Sequence, residues 1–339
     1  MPIVAVDAMG GDNGAPTVVQ ACKLALAHDP DLRLLLVGKT ALLEPLLSSA
    51  GMAHMSQLEL VEASEVVAMD EEPAQALRSK KDSSMRVALN CVKEGRAGAA
   101  VSAGNTGAWM ATARFVLKMI PGIDRPAIMA ALPSARDRTY LLDLGANAET
   151  SAEQLLQFAR MGSAACVALS GLPHPRIGLL NIGSEAVKGN SVVKAADQLI
   201  RADSALNYAG FVEGDDIYAG SVDVVVCDGF TGNVMLKSSE GLARLLGQRI
   251  RTAFMRSWYG RLSAALSAPV LRSLRRDMDP GRYNGASLVG LRGVVIKSHG
   301  GADAKAFANS IHMAARAVGD DLPQRIAAML GEEEGLHQR

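Results

Sequence analysis

The chain is predicted to be an α/β protein built on a mainly parallel sheet, and three observations point there. Short apolar runs of strand length alternate with longer segments of helical period. Several of those runs end directly in a polar, Gly-containing turn, as strands do when they hand over to a helix. At 339 residues, 49 % of them hydrophobic, the chain can fill one large core or two smaller ones without disulfide staples.

In chain order the expected strands are residues 3–7, 32–37, 58–61, 99–102, 128–132, 140–143, 177–181, 222–227 and 293–297. Neither an internal repeat nor a low-complexity linker separates them, so residues 1–331 read as one α/β domain. Residues 332–339, opening on Glu332, Glu333 and Glu334, read as a solvated or frayed acidic tail.

From about residue 240 to 281 the composition shifts. Leu242, Leu246, Ile250, Phe254, Trp258, Leu262 and Leu266 recur every four residues, an apolar stripe on one helical face. A helix from 240 to 267 would be about 42 Å long at 1.5 Å per residue, enough to protrude from a compact domain. Pro269 is expected to break it, and Val270, Leu271 and Leu274 to continue as an antiparallel return beside Arg272, Arg275 and Arg276. Nine arginines face two aspartates between residues 244 and 282, a local charge of +7. That suits an acidic protein or anionic lipid head groups, with Arg256, Arg261, Leu262, Leu266, Val270, Leu271, Arg272, Arg275 and Arg276 as the expected contacts. A solvated face on a dimerisation helix would explain the stripe but not so lopsided a charge.

Elsewhere the charges cancel: 35 basic and 35 acidic residues leave no global field to draw nucleic acid. Cys22, Cys91, Cys166 and Cys227 are widely spaced and form no CxxC or Cys/His cluster, which reads as free thiols in a reducing cytoplasm. The N-terminus carries no export signal, and no stretch reaches the roughly 18 to 20 apolar residues of a spanning helix. Any meeting with a membrane is therefore expected at its surface.

Six turns carry the candidate chemistry. The first holds Asp7, Gly10, Gly11 and Asp12; the second Ser102, Gly104, Asn105, Thr106 and Gly107; the third Asp143, Gly145 and Asn147. The fourth holds Asn181, Gly183 and Glu185 followed by Lys188, Gly189 and Asn190; the fifth Asp228, Gly229, Thr231, Gly232 and Asn233; the sixth Ser298, His299, Gly300 and Gly301. Glycine lets a backbone approach an anion, and Asn, Ser and Thr add neutral donors. Any one such turn reads as an ordinary connection in which Gly, Asn and Asp serve conformation and capping. Six together argue for a composite phosphate or carbonyl site.

Familiar signatures fail. Gly10-Gly11-Asp12-Asn13-Gly14 lacks the GxGxxG spacing, and Gly38-Lys39-Thr40 has Arg33 where a P-loop needs glycine, so it reads as a helix start. No HExxH motif or clustered ligand set points to a metal, and none is expected. Ser170-Gly171 lacks a GxSxG elbow, and Cys227 reads as a small buried hydrophobe. His299 is the one histidine set between an apolar strand and a Gly-Gly turn.

Taken in order, DAMGGD, SAGNTGA, LDLGAN, LLNIGSE with KGN, DGFTGNVMLK and KSHG resemble the PlsX family, the acyl-ACP:phosphate acyltransferases, over nearly the whole chain. The resemblance implies a homodimeric, Rossmann-like α/β/α enzyme with a protruding helical hairpin, related in fold to phosphate acetyltransferases and isopropylmalate dehydrogenases and needing no cofactor. It implies acyl carrier protein and inorganic phosphate as partners, and a product that feeds the membrane-bound glycerol-3-phosphate acyltransferase. It also implies a cytoplasmic protein whose hairpin serves the dimer and touches the inner face of the cell membrane. One departure is Ala209-Gly210-Phe211-Val212-Glu213-Gly214, where the family usually has an asparagine near Phe-Val-Glu.

Bottom-up chemistry agrees, because phosphate is itself a nucleophile and a thioester is already activated. Asn233 and backbone N–H groups are expected to stabilise the oxyanion, Lys188 to neutralise phosphate and His299 to protonate the leaving sulfur, with the remaining turn residues binding substrate. A helix cap or a pair with Glu185 are the other roles open to Lys188. The competing readings are a CoA-dependent phosphate acyltransferase, an NAD- and metal-dependent decarboxylating dehydrogenase, and a non-catalytic membrane-surface scaffold that binds acyl carrier protein.

Overall fold

The computed structural model describes residues 1–271 and 285–337, with residues 332–337 described by backbone alone. Eleven strands form one sheet in the order β3-β2-β1-β4-β11-β10-β5-β6-β9-β7-β8. The first half comprises β1 (Ile3–Asp7), β2 (Arg33–Gly38), β3 (Leu58–Glu62), β4 (Ala99–Ser102) and β11 (Val294–Lys297), all parallel. β10 (Ala286–Val289) and β5 (Ala127–Ser134) join it antiparallel to β6 (Asp137–Leu142). β6, β9 (Val224–Val226), β7 (Arg176–Leu180) and β8 (Asn207–Val212) are again mutually parallel, but run opposite to the first half. All nine expected strands are present; β8 and β10 were not expected.

Helices cover both faces, and the alternation along β1 shows why. Val4 and Val6 enter a core with Val18 and Cys22 of α1 (Gly14–His28), Phe158 of α6 (Ala152–Ser170) and Ile311 of α11 (Ala304–Gly319). Ala5 enters the opposite core with Met85 and Leu89 of α4 (Ser84–Lys93) and Trp109 of α5 (Thr106–Leu117). A strand buried on both faces reads as a near-continuous apolar run, as residues 3–6 of β1 and 34–37 of β2 do. The result is the expected three-layer α/β/α arrangement. The 39–40 step is a helix start: Lys39 precedes α2 (Thr40–Ser49).

The arm departs from expectation in where its helix breaks. α9 runs over Gly229–Met255, and the chain breaks at Arg256 and Ser257 before α10 (Trp258–Leu266). Ser257 is extended (φ −139°, ψ 161°), and its Oγ accepts the Gly260 N–H at 3.1 Å, an N-cap that restarts the helix. Pro269, the expected breaker, lies within a further helical turn over 268–271, where an early proline is tolerated. Leu242, Leu246, Trp258, Leu262, Leu266 and Val270 are exposed. Arg272, Arg275 and Arg276 lie outside the described residues. Helix α12 spans Leu322–His337, so the backbone of the expected tail continues a helix through residue 337.

Candidate active site

Strand direction sorts the six turns into two groups of three. The turns after β1, β4 and β11 leave one half of the sheet. Those after β6, β7 and β9 leave neighbouring strands of the other half, which run the opposite way. The sequence reading expects one composite site; the hydrogen bonds join turns within a group, between the turns after β1, β4 and β11 and between those after β6 and β9.

In the first group Ser102 Oγ donates to Asp7 Oδ2 at 2.6 Å and accepts from Gly104 N at 3.0 Å. Met9 N donates to Asp7 Oδ1 at 3.1 Å, Ser298 N to Ser102 O at 2.9 Å, and Asp12 N to Gly300 O at 2.9 Å. Gly10 has to be glycine, because a Cβ there would stand 2.6 Å from Asp7 Oδ2 and 2.7 Å from Gly104 N. Asp7 is fully buried, which pushes its carboxyl up, and the hydrogen bonds from Ser102, Ser84, Met9 and Gly10 oppose that. Lys297 is buried beside it: Nζ donates to Ala103 O at 3.2 Å and to Ser298 O. Thr106 and Asp12 are exposed, Gly11, Gly107 and Gly300 half-buried. His299 is exposed, and its Nδ1 accepts from Gly301 N at 3.1 Å, so the neutral ring carries its proton on Nε2. Asn105 is committed: it caps α5 through Ala108 N at 3.0 Å and donates to Met69 O and Glu71 O at 2.9 and 2.8 Å.

The second group is centred on Asp143. Its carboxylate accepts from Ile128 N, Gly145 N, Ala146 N, Asn147 N and Asn147 Nδ2 at 2.7–3.2 Å. Burial pushes this carboxyl up and those amides pull it back. The first turn of α9 lies flush on this turn: Gly229 N donates to Asn147 O at 2.8 Å, and a Cβ on Gly232 would fall 1.9 Å from Asp143 O. Asp228 caps α9, accepting from Thr231 N at 2.8 Å and Thr231 Oγ1 at 2.7 Å. Asn147 also donates to Pro126 O, and Asn190 caps α7 (Ser191–Ala202) by accepting Val193 N at 2.9 Å. Asn181 Nδ2 donates to Gly183 O at 3.1 Å.

Among the described residues, three candidate side chains of the second group make no hydrogen bond or ion pair. Asn233 is half-buried and its amide makes no hydrogen bond; exposed Lys188 and Glu185 make no ion pair, although Lys188 N donates to Glu185 O at 2.9 Å. Large apolar side chains are exposed in the same two turns: Ile182 and Val187 after β7, Phe230 and Val234 at the start of α9. All four cysteines are buried, and burial pushes the Cys22 thiol up to about 12 and that of Cys227 further still. None is poised to act as a thiolate nucleophile. Lys297 is the candidate that the sequence reading missed; its signal was a lysine closing an apolar strand immediately before Ser-His-Gly-Gly.

The fold defines a class. The structure shares its arrangement with a phosphotransacetylase from Streptococcus pyogenes, at a TM-score of 0.65, 17 % identity and 94 % coverage of both chains. It also shares it with a 4-hydroxythreonine-4-phosphate dehydrogenase from Klebsiella pneumoniae, at a TM-score of 0.54 and 15 % identity, over 94 % of this chain and 98 % of that one. Sequence narrows the class: the family model described as fatty acid synthesis protein matches residues 3–325. The phosphate acyltransferase of Alkalilimnicola ehrlichii is 54 % identical over 335 residues, 98 % of each chain, and that of Legionella pneumophila strain Paris is 54 % identical over 92 % of this chain and 91 % of its own. The chain belongs to this family, the PlsX phosphate acyltransferases, and is an acyltransferase.

Proposed function

We propose that the protein transfers a fatty acyl group from acyl carrier protein to inorganic phosphate, releasing acyl phosphate and free carrier protein for phosphatidic acid synthesis. The observation that carries this is Asn233: among the described residues an unpartnered amide in the first turn of α9, on a helix start that also exposes Phe230 and Val234. An acyl thioester needs such a pairing of a carbonyl donor with an apolar bed for its chain. A phosphate oxygen attacks the thioester carbon, the C–O bond forms and the carbonyl becomes an oxyanion. Collapse breaks the C–S bond, and the thiolate takes a proton. In this reading Asn233 and nearby backbone N–H groups stabilise the oxyanion, Lys188 offsets phosphate charge, and the Nε2–H of His299 hydrogen-bonds the departing sulfur, which takes the proton that the attacking hydrogen phosphate gives up. The buried thiols fit direct attack by phosphate, with no acyl-enzyme intermediate.

The exposed arm supports a second part of the proposal: α9 and α10 carry the contacts to a second copy, to acidic acyl carrier protein and to the inner membrane surface, close to the membrane-bound glycerol-3-phosphate acyltransferase. Arg256, Arg261, Leu262 and Leu266 all lie exposed on it. Among the described residues no helix is long and apolar enough to cross a membrane. The test of function is phosphate-dependent release of thiol from acyl-acyl carrier protein, with acyl-CoA in parallel. Turnover with the carrier protein is the expected result; turnover with acyl-CoA alone would assign the CoA-dependent reaction.

A further inference from the structure

The reaction described above makes no use of Lys297, yet its side chain is among the most constrained polar groups in the chain. The residue closes β11 at 9 % exposure, and its ammonium donates to the carbonyls of Ala103 and Ser298, which belong to two different turns. The Ala103–Gly104 peptide is thereby held at both ends, by Lys297 at its carbonyl and by Ser102 Oγ at its N–H. The same hydroxyl donates to Asp7, so cation and carboxylate are linked through one peptide and one side chain.

Charge gives this linkage a purpose. Asp7 and Asp12 both act on Lys297, from the end of β1 and from the turn after it; His299 is its neighbour but one along the chain. Exposed Asp12 and buried Asp7 would both repel an incoming phosphate, and Lys297 is the buried cation set against them. We infer that Lys297 is a positioning residue for phosphate: it cancels the charge of Asp7 and holds the 102–107 and 298–301 turns in the shape that receives the anion. This rests on the reading that the enzyme uses inorganic phosphate.

Burial holds the amine well below its ordinary value, at about 8, while Asp7 and Asp12 pull it upward. The cation is therefore present below about 8 and lost as pH rises through that value, and phosphate affinity is expected to fall in step.

The test is Lys297→Met, with steady-state rates measured against phosphate and acyl donor separately. We expect KM for phosphate to rise on the order of 10- to 100-fold, KM for the donor to stay within about twofold, and the alkaline limb near pH 8 in kcat/KM for phosphate to disappear. The double variant Asp7→Asn with Lys297→Met, which removes both buried charges, should recover part of the lost phosphate affinity. An unchanged KM for phosphate, or an equal rise for both substrates, overturns the assignment. If Lys297→Met does not fold, the native protein decides: the rise in melting temperature caused by inorganic phosphate must shrink between about pH 7.5 and 9.5, and a constant rise overturns it. Native protein that shows no phosphate-dependent turnover sinks the functional reading instead.

Discussion

Asp7 and Asp143 look alike on paper and differ in the fold. Each stands at the end of a strand, each is wholly buried, and each opens a glycine-containing turn. Asp143 is satisfied within its own neighbourhood by five neutral amide donors. Asp7 accepts the hydroxyl of Ser102, which comes from another strand, and sits in the field of Lys297, which comes from the far end of the chain. The first is scaffold; the second is a balance of charges that a ligand or a proton can tip. The asparagines repeat the lesson. Asn105 has spent its amide on backbone and Asn147 on backbone and the Asp143 carboxylate, whereas Asn233 has not.

That contrast can be broken or sharpened by substitution. The largest effect is expected from Gly232→Ala, which forces a methyl into the Asp143 carbonyl and should cost about 3 kcal/mol or more of stability in urea unfolding. Next come Asn233→Ala and His299→Ala, each expected to lower kcat/KM on the order of 10²- to 10³-fold with an unchanged melting curve. Loss in only one of the two would confine the chemistry to that group of turns. Asn147→Ala should do the reverse of Asn233→Ala, costing roughly 1–3 kcal/mol because the Pro126 carbonyl and the Asp143 carboxylate lose a donor. An Asn147 variant that is stable but inactive would erase the distinction drawn here. The smallest effect is expected on the arm: Leu266→Asp with Val270→Asp should weaken binding to anionic vesicles by about tenfold and leave the oligomeric state unaltered. Arg256→Glu with Arg261→Glu should do so chiefly at low salt.

Much of this architecture was legible because β1, β2 and β4 are apolar runs that lead into glycine-containing turns. β8 and β10 were not. Asn207–Val212 mixes Asn, Tyr and Gly at the sheet edge, where one side of the ladder is open, and Ala286–Val289 is only four residues long. The break at Ser257 escaped notice because the four-residue apolar stripe passes through it; a serine N-cap competes with periodicity and wins locally. In the site, Asn233 and His299 stood out by their turns. Lys297 did not, since its burial is decided by Asp7, Ala103 and Ser102, remote in sequence.

The place of β11 has a consequence for how the protein comes into being. This late strand lies between β4 and β10, near the middle of the sheet, and the bond from Lys297 to Ala103 closes a loop of 194 residues. While the chain is being synthesised, the edge of β4 stays bare until residue 297 has emerged, a long interval in which an unpaired strand edge is open to wrong partners. Closing so large a loop also makes this pairing intrinsically slow. The first group of turns therefore comes together last, when α11 packs onto α1, β1 and β4, and a chain released early would carry the second group but lack the first.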